Sequence, residues 1–260
     1  MPISIMVDAG HGGSDPGAVF NGRMEKDDNL NLALAVGKVL QNNGVDVQYT
    51  RTTDVFVPLT ERADMANRAG VDYFISIHRN SYPTDNEVSG VETLVYDLSG
   101  IKYEMAQNIN ARLENIGFVN LGEKARPNLV VLRRTAMPAL MVEAGFINSD
   151  HDNRLFDENF DAIARAIAEG MLLAIQEQSE TNSTYGAGAY GVQLGLFRNR
   201  ASAERLVNEL SIQGFPAYMD RHGQFDRVKV GDFPYLDQAT EMERRLKRAG
   251  YQTLVVSQPV

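Results

Sequence analysis

Cysteine is absent from this chain of 260 residues. Disulfides are therefore excluded, and any metal centre has to be assembled from His, Asp or Glu. Histidine is scarce as well: His11, His78, His151 and His222 are the only four. Basic charge falls short of acidic charge, with 25 Lys and Arg against 34 Asp and Glu and a formal net charge of -9. The shortfall lies in residues 1–178, which hold 15 basic and 25 acidic residues, whereas 179–260 hold 10 and 9. Such a balance argues against nucleic acid as a partner. The near-neutral second part is not expected to hold its ligand by bulk charge. No run approaches the roughly 18 apolar residues of a membrane span. The opening Met-Pro-Ile-Ser-Ile-Met-Val has no basic n-region and no cleavage site, so the expectation is a protein made in the cytoplasm, or one whose leader was removed.

What is present is ordinary for a globular protein, with 43% hydrophobic and 23% charged residues. The length admits one large domain, or a medium one with a small companion. The clearest boundary is Gln178 to Ala189, small, polar and glycine-bearing, which reads as a flexible linker. The division expected is therefore 1–178, a linker over 179–189, and 190–260.

Before the linker, strand-like and helix-like segments alternate. Ile3–Val7, Val45–Thr50, Tyr73–Ile77, Gly90–Tyr96, Leu129–Leu132 and Leu140–Val142 read as strands. Leu30–Leu40, Leu59–Ala69, Ile101–Ile116 and Phe156–Ile175 read as helices, the first three stopped by Asn43-Gly44, Gly70 and Gly117. This alternation predicts an α/β layer fold with a mainly parallel or mixed sheet. In such folds ligands gather at the carboxyl ends of the strands.

After the linker the chain repeats itself. Val192, Gly195, Phe197, Ala203, Leu206, Leu210, Gly214 and Phe215 return 36 residues later as Val228, Gly231, Phe233, Ala239, Met242, Leu246, Gly250 and Tyr251. Each unit reads strand, helix, strand, so two units predict a small α+β domain of βαββαβ type, the split βαβ (ferredoxin-like) arrangement.

Two histidines stand where an α/β fold puts its site. His11 follows the first strand within Asp8-Ala9-Gly10-His11-Gly12-Gly13, and His78 ends a buried strand within Ile75-Ser76-Ile77-His78-Arg79-Asn80. Each alone is more often a hydrogen-bonded structural residue. The glycine cluster is equally compatible with a tight turn, and it lacks the lysine and spacing of a phosphate loop. Glu25 precedes the first helix; as a helix-start acid it is no better placed than Asp27 or Asp28. As a third ligand it completes a set of two imidazoles and one carboxylate, which suits catalytic zinc. Glu143 follows the apolar Pro138-Ala139-Leu140-Met141-Val142. A carboxylate there is costly unless paired or used for proton transfer. His151 is a rival ligand, better read as a helix-start residue, and His222 reads as part of an exposed turn.

Together these segments resemble the bacterial zinc-dependent N-acetylmuramoyl-L-alanine amidases. The resemblance lies in Asp8-Ala9-Gly10-His11-Gly12-Gly13-Ser14-Asp15-Pro16-Gly17-Ala18, Glu25-Lys26, Ser76-Ile77-His78-Arg79-Asn80-Ser81, and Val131 through Glu143-Ala144-Gly145-Phe146-Ile147, in that order, over about residues 3–176. It implies one zinc ion held by His11, Glu25 and His78, with Glu143 as general base and acid. The bond cut would be the amide between the lactyl group of N-acetylmuramic acid and L-alanine of the stem peptide in peptidoglycan. Two departures stand out: Ala9, where many relatives have proline, and Arg79, a bulky cation beside the third ligand that is expected to affect substrate preference. Residues 190–258 resemble a SPOR domain, through Val192-Gln193-Leu194-Gly195-Leu196-Phe197 and Val228-Lys229-Val230-Gly231-Asp232-Phe233. That resemblance implies binding to glycan strands stripped of stem peptides. Phe197 and Phe233 are more readily core residues than sugar platforms, because they recur at matched positions. The pair of domains resembles autolysins that lyse the mother cell late in sporulation, which implies residence in its cytoplasm until lysis and action at the wall. Two other readings stay open on the residues alone: an inactive wall-binding or regulatory protein, and a zinc peptidase acting within the stem peptide.

Overall fold

The computed structural model describes residues 2–185, 189–233 and 236–258. The chain divides into two compact units, Met1–Gln178 and Ser179–Val260.

In the first unit, β1 (Ser4–Ala9), β4 (Asp46–Tyr49), β5 (Tyr73–Asn80), β6 (Val91–Val95), β7 (Asn120–Ala125) and β8 (Ala139–Phe146) form one sheet in the order β4-β1-β5-β8-β6-β7. β1 runs parallel to β4 and β5, and β5 runs parallel to β8. β6 runs antiparallel to β8, so the sheet is mixed as the alternation implied. A two-residue pairing of β2 (Val19–Phe20) with β3 (Arg23–Met24) forms a small hairpin beside it.

The side-chain period of two sorts each central strand between two cores. Ile5, Val7 and Ala9 of β1, Tyr73, Ile75 and Ile77 of β5, and Leu140, Val142 and Ala144 of β8 enter a core with α1 (Glu25–Asn42), α3 (Gly100–Glu114) and α6 (Phe160–Tyr185). On the opposite face Met6, Phe74 and Met141 pack with Ala66 of α2 (Leu59–Ala69) and with Val131 and Leu132 of α4 (Val130–Arg134). By the same alternation Asp8, His78 and Glu143 belong to this second face, near the carboxyl ends of their strands.

Three expectations need correction. Residues 129–132, read as a strand, instead enter α4, a helix of one turn and a half whose Val131 and Leu132 are buried; so short an apolar run has no period that separates strand from buried helix. The final helix is broken in two: α5 (Asp150–Glu158), capped by the Ser149 hydroxyl accepting from the Asp152 N–H, and α6, with Asn159 between them. Finally, α6 continues to Tyr185, into the segment read as a linker. Extending a helix by a residue is far easier than nucleating one, so a polar tail can prolong it without an apolar face. Among the described residues no helix is long and apolar enough to cross a membrane.

The second unit runs β9 (Ala189–Phe197), α7 (Arg200–Ile212), β10 (Ala217–His222), β11 (Phe225–Phe233), α8 (Leu236–Arg248) and β12 (Leu254–Gln258). Its sheet order β10-β11-β9-β12, with every pairing antiparallel, is the split βαβ arrangement. The repeat is largely a core repeat: Val192, Ala203 and Leu210 are buried together with Val228, Ala239 and Leu246. Phe197 and Phe233 pack against that core. The paired glycines serve the paired phenylalanines. A Cβ on Gly195 would lie 2.8 Å from the Phe197 ring, and one on Gly231 would lie 2.2 Å from the Phe233 ring.

Candidate active site

The segment after β1 turns sharply. His11 (φ 58) and Gly13 (φ 57) are both left-handed, and Gly12 and Asp15 form an isolated bridge. This turn carries the His11 imidazole towards Glu25, the first residue of α1, with Nε2 of His11 3.2 Å from Oε2 of Glu25. His78 approaches from β5, its Nδ1 2.9 Å from the other carboxylate oxygen. One donor atom from each of His11, Glu25 and His78 falls within 4.8 Å of the others. The rings of His11 and His78 meet edge to face, with centroids 5.0 Å apart. Glycine makes the approach possible: a Cβ on Gly10 would lie 2.2 Å from Cε1 of His78, and one on Gly17 would lie 2.6 Å from Oε2 of Glu25.

The electrostatics follow from burial against pairing. Burial disfavours the His11 cation, but the bond to Glu25, helped by Asp15, outweighs it and lifts its pKa to about 9. Burial also works against the Glu25 carboxylate, yet the two imidazoles hold its pKa far below the carboxylate range. His78 is raised by Glu25 in spite of its burial.

Glu143 behaves differently. It is the register partner of His78 on the neighbouring strand. Its Oε2 is buried with no hydrogen-bond partner. Burial raises its pKa to about 7, opposed by the charge of His78. Glu143, His11 and His78 face a cavity of about 430 Å³ whose remaining wall includes Phe56, Leu59, Leu129 and Met141.

Residues 5–173 match the family of N-acetylmuramoyl-L-alanine amidases. The chain belongs to that family. Residues 186–257 match the SPOR domain family. The chain is 36% identical over 218 residues to the sporulation-specific N-acetylmuramoyl-L-alanine amidase of Bacillus subtilis, a match that covers 82% of each protein. It is 38% identical over 221 residues to N-acetylmuramoyl-L-alanine amidase CwlM of Bacillus licheniformis, covering 83% of each. Among solved structures, the amidase from Clostridium difficile 630 superposes with a TM-score of 0.64 at 30% identity over 68% of this chain and 98% of that one. The amidase AmiC2 of Nostoc punctiforme does so with a TM-score of 0.63 at 34% identity over 67% and 97%.

The amidase thus brings together all four residues singled out in the sequence. His151 lies exposed on α5, and His222 lies exposed at the end of β10, neither in this cluster. Arg79 does not line the cavity. Next to His78 on a strand, it points to the opposite face of the sheet. Its side chain is fully buried there, bound to Asp28 of α1 and Asn153 of α5. Burial lowers its pKa to about 10, which leaves it a cation at neutral pH.

Several residues of the amidase site escaped the sequence reading. Asp15 lies 2.8 Å from Nδ1 of His11, so an Nδ1–H donated to it leaves Nε2 free as a metal donor. Asn29, one turn after Glu25, donates to Oε1 of that residue. Arg62 donates to Asp8 and to the carbonyls of Ala9 and His11, while Arg51 donates to the carbonyls of Ala9 and Gly10. The two guanidinium groups thereby pin the backbone that carries His11. Spacing gave a signal for Asn29, four residues after Glu25 on the same helix; Asp15 meets His11 across a non-helical turn, where that offset carries no expectation. Arg51 and Arg62 reach the turn only through the tertiary fold.

Proposed function

We propose that this chain is a zinc-dependent peptidoglycan amidase. In this reading His11, Glu25 and His78 hold the ion, and Glu143 transfers protons as the amide between N-acetylmuramic acid and L-alanine of the stem peptide is cut. The observation that carries the reading is the convergence of three donor atoms within 4.8 Å, two of them from His11 and His78, which line the same cavity as Glu143. Two imidazoles and one carboxylate are the donor set of catalytic zinc, which keeps a further position open. Glu143 lines the cavity, which fits a group that exchanges a proton with water or substrate there.

When bound, zinc supplies polarisation of the scissile carbonyl and water acidic enough to attack near neutral pH. Glu143 accepts the proton of the attacking water and returns it to the departing amine of L-alanine. In the metal-free protein burial raises the Glu143 pKa to about 7, which favours uptake of a proton by this carboxylate over an exposed one. Asp15 fixes the His11 ring. Phe56, Leu59, Leu129 and Met141 offer an apolar wall suited to the methyl groups of the lactyl ether and of alanine, and they keep bulk water from the reacting amide.

The second unit serves to hold glycan strands, with those stripped of stem peptides preferred. The setting named for the Bacillus subtilis relative, sporulation, is carried over to this chain on the same terms.

Metal analysis combined with product identification tests the reading. The purified protein should hold about one zinc per chain. Digestion of purified wall should free amino termini of L-alanine without new reducing sugar ends. A zinc-free protein without turnover, or products that keep the lactyl amide intact, would overturn it. For the second unit, residues 179–260 should bind amidase-treated glycan more strongly than intact wall, and equal binding would remove the preference.

A further inference from the structure

We propose that Arg79 is a positioning residue for this site, a buried guanidinium that locks together the segments bearing Glu25, His78 and Glu143. The proposal rests on the reading of His11, Glu25 and His78 as a metal site. Arg79 touches neither substrate nor ion in that arrangement, so it acts through the residues it holds.

Its connections run in three directions. Towards α1, Nη1 donates to Oδ2 of Asp28 at 2.6 Å. Asp28 lies three residues after Glu25, on the same face of the first turn, so this bond fixes the rotation of the helix start. The Arg79 backbone N–H also donates directly to Oε1 of Glu25 at 3.3 Å. Towards β8, Nε donates to the Gly145 carbonyl at 3.3 Å and Nη2 to that of Phe146 at 3.4 Å. The β5–β8 ladder is irregular at this point: His78 pairs with Glu143, but Asn80 pairs with Phe146. Two steps along β5 thus match three along β8, with Gly145 left-handed (φ 85) inside the extra step. Such an irregularity re-aims the side chains beside it, and Arg79 lies on the strand directly opposite. Towards α5, Nη2 donates to Oδ1 of Asn153 at 2.8 Å, and the guanidinium lies 4.1 Å from the centroid of the Phe156 ring.

A purely structural role would be poorly served by this choice. A buried ion pair contributes little net stability compared with well-packed apolar side chains. What a planar cation with several fixed donors provides, and an apolar side chain does not, is direction: the spacing of α1, β5 and β8 is set by bonds of defined length and angle. Those three elements carry Glu25, His78 and Glu143, and metal ligands need exact placement.

The test is zinc binding by the full-length protein, stripped of metal and titrated with Zn²⁺ against a chromogenic chelator. The variants are Arg79→Met, Arg79→Lys and Asn153→Ala, with Arg112→Met as a control; Arg112 pairs with the exposed Glu169. Arg79→Met should raise the zinc Kd by about 10–100-fold, the range for lost outer-shell partners. Arg79→Lys, which keeps the charge and loses the fork, should fall between it and the parent. Asn153→Ala should give a smaller rise, and Arg112→Met none. At saturating zinc, kcat should fall in Arg79→Met while KM stays nearly constant. An Arg79→Met protein that folds and keeps both its zinc Kd and its kcat would overturn the proposal. If that variant does not fold by circular dichroism, unchanged zinc Kd in both Arg79→Lys and Asn153→Ala would overturn it equally. Failure of the parent protein to take up zinc sinks the metal reading itself, whereas uptake indifferent to Arg79 sinks only the positioning role.

Discussion

His78 and Glu143 face each other across adjacent parallel strands, as register partners of β5 and β8. One is tied to Glu25 at 2.9 Å. The other keeps a buried oxygen with no partner. Backbone pairing, and not proximity along the chain, thus sets a would-be proton carrier beside a would-be metal ligand. Parallel register moves only in whole steps, and a slip of one residue would turn either side chain to the opposite face.

Glu143→Gln keeps the size of the side chain and removes its basicity. Activity on purified wall should fall by about 10²–10⁴-fold, while zinc content and wall binding stay those of the parent. Turnover near the parental rate would take Glu143 out of the mechanism.

Zinc binding should strengthen with rising pH. In the metal-free protein the His11 pKa is lifted to about 9, so below that pH zinc displaces a proton from the imidazole. The apparent affinity should therefore drop by at least about tenfold for each pH unit below 9, one proton coming from His11, and more steeply where His78, whose pKa is also raised, is protonated too. Competition titrations between pH 6 and 9 measure the slope, and a flat profile would contradict the assignment of His11 as a ligand.

Gly10→Ala would set a Cβ 2.2 Å from Cε1 and 2.3 Å from Nε2 of His78. The ring has to swing away. A displacement near 1 Å in such a site can cost about 100-fold in rate, and zinc affinity should fall with it. Kinetics and metal titration on a variant shown to be folded check this.

Arg62→Met would leave Asp8, 1% exposed, as a buried carboxylate without its cation. Thr50 and Ser76 still donate to it at 2.6 Å each, but hydroxyl groups do not neutralise the charge. The unit spanning 1–178 should lose about 3–5 kcal/mol, read from the urea midpoint of its transition.

Acid should weaken the small unit in a defined window. The bond from Arg227, reinforced by Lys229, pulls the Asp220 pKa from 3.8 to about 2. A carboxylate with a depressed folded pKa stabilises fully above its unfolded value and loses that contribution as pH falls through the folded one. Melting of residues 179–260 should become easier between about pH 4 and pH 2, and Asp220→Asn should flatten the dependence in that window.

The elements with strong period were legible in the chain: α2 begins and ends at Leu59 and Ala69 as its spacing implied, and the βαββαβ order of the small unit follows from the repeat. Elements without a period were not. β7 and the β2–β3 hairpin gave no signal in the sequence, and α4 gave a misleading one. Short segments like these are shaped by their neighbours more than by their own propensity.

Residue type and order determined the donor chemistry by themselves. With no cysteine and four histidines, the nitrogen donors of a metal site could come from few groups, and His11, Glu25, His78 and Glu143 were named from their place beside strands and helix. Tertiary structure alone decided the rest. Whether donors 14, 53 and 67 residues apart meet depends on register and on glycines that yield space. Which way Arg79 points depends on the alternation of β5, which sends it to the opposite face from His78. The fate of a buried cation is settled by the partners that three separate elements deliver to it, and no local pattern in the chain encodes them.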